Sequence, residues 1–262
     1  MRPLRLKLAG FAAVALCAAS LGASAPVALH AGDTITDRQL FAYLAYPVSP
    51  GDWVRYRVVF ADRTTVVKTI GFGVETVSGV RTLFIETHVR AQAVSGLPAG
   101  SVVGIGNDAV LKTYVAGTVF GDLAHPYPVV TSALKVGAFE YEVAPGSSES
   151  YSALSGASLA LVRTGSVRSV HPVDLRVGQQ AVHTTHVVAS FPSAPLPVGG
   201  VAVAYALEVW QSPEAPLGTV AISSEGPRTV DWRMIAFGKG DYKSLFSQTL
   251  DQMRQGARPA MP

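Results

Sequence analysis

The chain has 262 residues, 48% of them hydrophobic and only 15% charged, with 21 Lys+Arg, 18 Asp+Glu and a single cysteine. Arg2, Arg5 and Lys7 hold three of the bases and no acid accompanies them, so beyond residue 25 the bases and acids are equal at 18 each. That balance removes the electrostatic case for nucleic acid, and one cysteine excludes a disulfide framework or a thiolate metal site.

The three N-terminal cations precede an uncharged stretch at 8–21, rich in Ala, Leu and Val, and small residues follow at Ala23-Ser24-Ala25. The pattern predicts a signal peptide over 1–25, cleaved on export to the periplasm or beyond the cell, since the apolar stretch is too short to span a bilayer. Cys17 belongs to that stretch. Leu16 before it is too large for lipoprotein processing, so lipidation is not expected. No membrane-spanning segment is expected in the remainder, 26–262, which is long enough for one β-rich domain with a single core.

Thr36 and Gln39 form a capping-box pattern ahead of Leu40, Phe41 and Leu44, which predicts a short helix at 36–44, before Pro47. From Gly51-Asp52 the period changes. Val54, Tyr56, Val58 and Phe60 alternate with Arg55 and Arg57, the mark of a strand with one wet face. Segments 64–77 and 80–91 are dense in β-branched residues around Gly79 and predict a hairpin. Further strands are expected at 109–116, 138–143, 157–163, 166–170, 181–190, 201–211, 217–223 and 229–237, with a Pro-rich loop at 190–200. Many short strands joined by Gly/Pro/Ser turns predict a mainly β fold built on a curved or closed antiparallel sheet. Near the end, Asp241 precedes Tyr242, Leu245, Phe246, Thr249, Leu250 and Met253 at helical spacing, which predicts an amphipathic helix at 241–254 lying on the sheet.

Short motifs for chemistry fail on context. The glycines of 104–109 precede a β-like run instead of a helix, so they read as a turn and not as a dinucleotide fingerprint. Ser132 and Lys135 have the Ser-x-x-Lys spacing without its partner motifs, and Gly137 follows at once, which places them in a loop. His183 and His186 stand three apart in a strand-like run, where they point to opposite faces and do not share a metal. Glu140 and Glu142 fall on one face of a strand, read as the wet side of an edge. No catalytic site, cofactor or metal site is expected. The large groups Tyr56, Phe84, Tyr205, Trp210 and Trp232, spread over separate strands, are the candidates for lining an apolar ligand cavity, with a solid core as the alternative.

Two stretches carry a resemblance. The segment Pro50-Gly51-Asp52-Trp53-Val54-Arg55-Tyr56-Arg57-Val58 is similar to a G-[DE]-W-V-x-Y opening, and 207–220, with Trp210, Ser212, Pro216 and Gly218, to a V-W-x-S-x-x-x-P-x-G-x-V segment; 232–238 fits the closing strand. Both resemble envelope proteins of the LolA/LolB lipoprotein-sorting group. The resemblance implies a strongly curved antiparallel sheet, an unclosed β-barrel with helices on its concave face, that holds acyl chains or lipoproteins. Residues 95–180 have no counterpart in it. The function expected is an exported, non-catalytic carrier of a lipid or acylated protein; the alternative is an envelope scaffold or protein-interaction module with a filled core.

Overall fold

The computed structural model describes residues 28–36, 40, 48–59, 63, 65–92, 109–115, 127–143, 150–151, 163–195, 201–202, 204–225 and 230–256. In chain order these form β1 (Thr34–Thr36), β2 (Trp53–Val59), β3 (Thr65–Val77), β4 (Val80–Gln92), β5 (Ala109–Val115), β6 (Tyr127–Val136), β7 (Phe139–Val143) and β8 (Ser150–Tyr151). There follow β9 (Thr164–Val177), β10 (Gln180–Phe191), β11 (Ala194–Pro195), β12 (Val201–Ala202), β13 (Tyr205–Gln211), β14 (Thr219–Glu225), β15 (Val230–Gly238) and the helix α1 (Leu250–Gly256). The fold is mainly β, as expected.

Thirteen strands make one antiparallel sheet in the order β1-β9-β10-β13-β14-β15-β2-β3-β4-β5-β6-β7, with β8 set beside β6. Strands β1 and β7 end the order without pairing to each other, so the sheet is unclosed among the described residues. It is also strongly curved. Three strands lie between β9 and β15 in the sheet, yet the Gly178 turn at the end of β9 comes against the Ile235 carbonyl of β15. Register shifts at Val188/Ala189, Trp210/Gln211 and Met234/Ala236 supply local bends of the kind that β-bulges produce.

The β3–β4 hairpin turns at Ser78-Gly79, where both residues have positive φ (50° and 80°), the two-residue geometry that matches strand twist. Strand β6 was not foreseen, and it contains Ser132 and Lys135, which therefore sit in a strand and not in a loop. Strand β9 runs from Thr164 to Val177, much longer than the expected 166–170, because Pro172 is accommodated opposite Thr185 without ending the pairing. The expected strand at 157–163 lies, except for Arg163, outside the described residues. So does the expected helix at 36–44, except that Thr36 closes β1 and Leu40 is helical and fully buried.

Three apolar clusters hold the sheet. The largest joins Val54, Tyr56 and Val58 of β2, Ile70 and Phe72 of β3 and Ile85 of β4 to Val182 from the β9–β10 hairpin and Leu217 from the β13–β14 loop. Ser212 N donates to the Gly218 carbonyl at 2.8 Å, closing the loop, and Leu217, at a positive φ of 65°, is turned into the cluster with no exposure. The second cluster packs Ile35 and Leu40 on Val187, Ala189 and Phe191. The third sets Phe246, Leu250 and Met253 on Phe84, Val110 and Tyr114. Each large aliphatic or aromatic side chain so buried contributes about 1.5–3 kcal/mol.

The C-terminal segment lies on the sheet, as its apolar stripe predicts, but helix forms only from Leu250. Residues 241–249 are irregular, with bends at 245, 247 and 248, because the sheet itself satisfies their polar groups: Glu86 accepts from Tyr242 Oη at 2.7 Å, Ser244 Oγ at 2.6 Å and Leu245 N at 2.7 Å. The cap is Thr249, whose hydroxyl accepts from Gln252 N while Gln252 Oε1 accepts from Thr249 N, a reciprocal capping box. Asp241 instead accepts from Trp53 Nε1 at 2.7 Å.

Candidate functional site

In a sheet, directly paired residues share a face. Through the pairs Trp232↔Val58, Met234↔Tyr56, Tyr56↔Lys68, Lys68↔Val89, Ile70↔Thr87 and Phe72↔Ile85, one face of β15, β2, β3 and β4 is defined residue by residue. It carries the largest apolar cluster. The opposite face, through Gly71↔Glu86, Gly73↔Phe84, Phe84↔Tyr114 and Glu86↔Lys112, carries the C-terminal segment.

Tyr56 and Trp232 are brought together on the first face, with ring centroids 5.8 Å apart. Tyr56 is fully enclosed and its hydroxyl donates to the Thr219 carbonyl at 2.8 Å; burial pushes that phenol far above its usual value. Trp232 is only half-buried. Beside them is Lys68, unremarked by sequence reading, with its ammonium 5.1 Å from the Trp232 ring centre. Every acid of β2 to β5 falls on the other face: Glu75 opposite Thr82, and Glu86 opposite Gly71. Asp231 of β15 pairs with Val59, also away from Lys68. The lysine is half-buried in apolar surroundings without an acid on its face among the described residues, and burial pushes its pKa down to about 8. The signal was in the sequence. Val66, Lys68, Ile70 and Phe72 alternate, and the lysine occupies the apolar register.

Of the other three candidates, Phe84 and Tyr205 belong to other clusters. Phe84 is buried on the opposite face, edge-on to Tyr114 and 4.1 Å from the Lys112 ammonium. Tyr205 stacks on Phe191 in the second cluster, with the Arg163 guanidinium 4.9 Å from its ring centre. Trp210 packs at the margin of the largest cluster and stacks on His186, centroids 4.2 Å apart and planes 5° apart.

The polar residues singled out earlier also find places. His183 and His186 point to opposite faces, as strand geometry requires. His183 meets Asp174 at 2.6 Å, first through that hydrogen bond and then through the charge, and its pKa is raised. His186 meets Glu208 at 2.9 Å and His171 at 3.0 Å. The second histidine comes from the neighbouring strand, a proximity that spacing along the chain does not reveal. No group of three or more His, Cys, Asp and Glu residues fit to hold a metal occurs among the described residues. Ser132 and Lys135 face opposite ways, and Lys135 instead binds Glu140 at 2.8 Å and the Leu245 carbonyl at 2.6 Å. Residues 104–107 lie outside the described residues.

Glu140 and Glu142 are not a wet edge; they fasten the C-terminal segment. Burial opposes the charge on Glu140, but the Lys135 ammonium and the Ser247 and Gln248 amides outweigh it and hold the carboxyl below the usual range. Arg254, bonded at 2.7 and 2.9 Å, does the same for Glu142 against burial, with help from Thr131. Beneath them the fully buried Lys112 binds Glu75 at 2.6 Å, and Glu75 also accepts from Tyr114 Oη and Leu250 N. No helix among the described residues is long and apolar enough to cross a membrane.

No family model matches this chain, and neither a curated protein nor a solved structure does.

Proposed function

We propose that this chain is an exported envelope protein that shelters the hydrophobic part of a lipid or acylated protein without chemical turnover, in the manner of the LolA/LolB group. Residues 1–25 then serve as its cleaved export signal, and the periplasm or the exterior is its place of work. One observation carries the reading. Around the fully buried centre of the largest cluster, the apolar groups Val89, Leu175, Trp210, Trp232 and Phe237 remain only partly covered on a sheet that is curved and unclosed. An acyl chain laid on such a rim gains about 0.8 kcal/mol per methylene buried. The binding surface in this reading is the rim beside Trp232, not a sealed cavity, since Tyr56 and Phe84 are already enclosed.

A second reading, an envelope scaffold or interaction module without ligand, is favoured by the close filling of the cluster's centre, where Val54, Ile70, Phe72 and Ile85 have no exposure at all. Native mass spectrometry of protein recovered from envelope extracts separates the two. A carrier brings acyl species with it; repeated recovery of ligand-free protein that also rejects fluorescent fatty acids overturns the carrier reading.

A further inference from the structure

We propose that Lys68 is the head-group anchor of this protein, binding the carboxylate or phosphate of a single-chain amphiphile whose tail lies along the rim beside Trp232 and Val89. The inference rests on the carrier reading and adds the charge of the ligand. Its basis is placement. Strand alternation puts the lysine among Val66, Ile70 and Phe72, in the register where each neighbour packs into an apolar cluster.

A cation so placed gives up part of its hydration to apolar neighbours, and a carboxylate is the usual structural partner where burial is complete. Lys112 shows that remedy on the same sheet, with Glu75 bonded at 2.6 Å. Among the described residues Lys68 has the face of Trp232, whose ring attracts a cation but offers no conventional acceptor to the ammonium's N–H donors. With its pKa at about 8 it remains mostly protonated at neutral pH. A charged donor set at the border of an apolar rim fits a ligand that is oily at one end and anionic at the other. Carboxylate and phosphate share that chemistry, and neither needs a second cation for a single charge-assisted bond.

The test compares decanoate, decyl phosphate and decanol, which share one tail, by tryptophan fluorescence titration of the full-length protein and of Lys68→Met and Lys68→Arg. At least one of the two anions is expected to bind ten-fold or more tightly than decanol; the tighter of them identifies the head group. In Lys68→Met that preference collapses while decanol affinity is unchanged, and Lys68→Arg retains it. Equal affinities for all three ligands, or a preference that survives Lys68→Met, overturn the anchor and leave the carrier reading standing. Failure of all three to bind overturns both.

Discussion

Two lysines on adjacent parts of one sheet have opposite surroundings. Lys112 has 2% side-chain exposure, with Glu75 in contact and the rings of Phe84, Tyr114 and Phe246 around it. Lys68, on the other face, is partly exposed and has Trp232 and aliphatic neighbours but, among the described residues, no acid. The first arrangement is complete in itself: charge, hydrogen bonds and packing all close within the chain. The second is incomplete, and an incomplete polar site on an apolar rim is where a ligand adds most. The same strand alternation produces both, because a one-residue change of parity decides which cluster a side chain joins.

The largest effect should come from breaking the complete site. Lys112→Met leaves the Glu75 carboxylate enclosed without its cation, and chemical denaturation is expected to show a loss of about 3–5 kcal/mol. A loss no larger than that of an exposed lysine would show that the ion pair is not sealed. Gly71→Ala comes next. A Cβ there would overlap the Tyr242 ring, which must then shift from its bond to Glu86, costing about 1–3 kcal/mol in the same assay. Lys68→Met is expected to have the opposite sign, a gain of about 1 kcal/mol, as desolvation is relieved and the contact with Trp232 is lost. A marked loss would mean that Lys68 has a structural partner after all.

The smallest effect concerns acid. Glu140 and Glu142 have folded pKa values below their unfolded ones, so their contribution is fully present above the unfolded value of about 4.3 and is lost as pH falls through the lower folded values. The Arg254 and Glu142 side chains are 39% and 30% exposed, and that pair is worth no more than about 1 kcal/mol after solvent screening. Denaturation midpoints should therefore decline between about pH 5 and pH 3, and Glu142→Gln should flatten that decline. A midpoint independent of pH across this window would contradict the assigned fastening role.

Much of the β architecture was legible because its signals are local. Alternation in 53–59, the β-branched runs flanking Gly79 and the Gly51-Asp52 turn each specify a strand or a turn within a few residues. The Gly51-Asp52-Trp53 motif has a physical account too: Asp52 accepts from Ser49 N and Gly240 N, and Trp53 from its ring nitrogen donates to Asp241, so the motif ties the start of β2 to the chain leaving β15. What escaped was non-local. Residues 241–249 have helical spacing, but Glu86 takes three of their polar groups and holds them in an irregular path, and no window of sequence contains that competition. Strand β6 was hidden by Pro128 and Gly137, which mark its ends and not a loop. Of the candidates chosen for bulk, Tyr56 and Trp232 meet on one face and Trp210 joins the margin of the same cluster, while register places Phe84 and Tyr205 in other clusters. Lys68 needed only its parity to be noticed. His171 and His186 needed the pairing of two strands.

Lysine acetylation read by mass spectrometry probes the contrast between the two sites most directly. In the free protein at neutral pH, Lys68 should be modified readily and Lys112 scarcely at all, and addition of decanoate or decyl phosphate should protect Lys68 while leaving Lys112 unchanged. Modification of Lys112 as fast as Lys68, or of Lys68 at the same rate whether or not either amphiphile is present, would contradict the account.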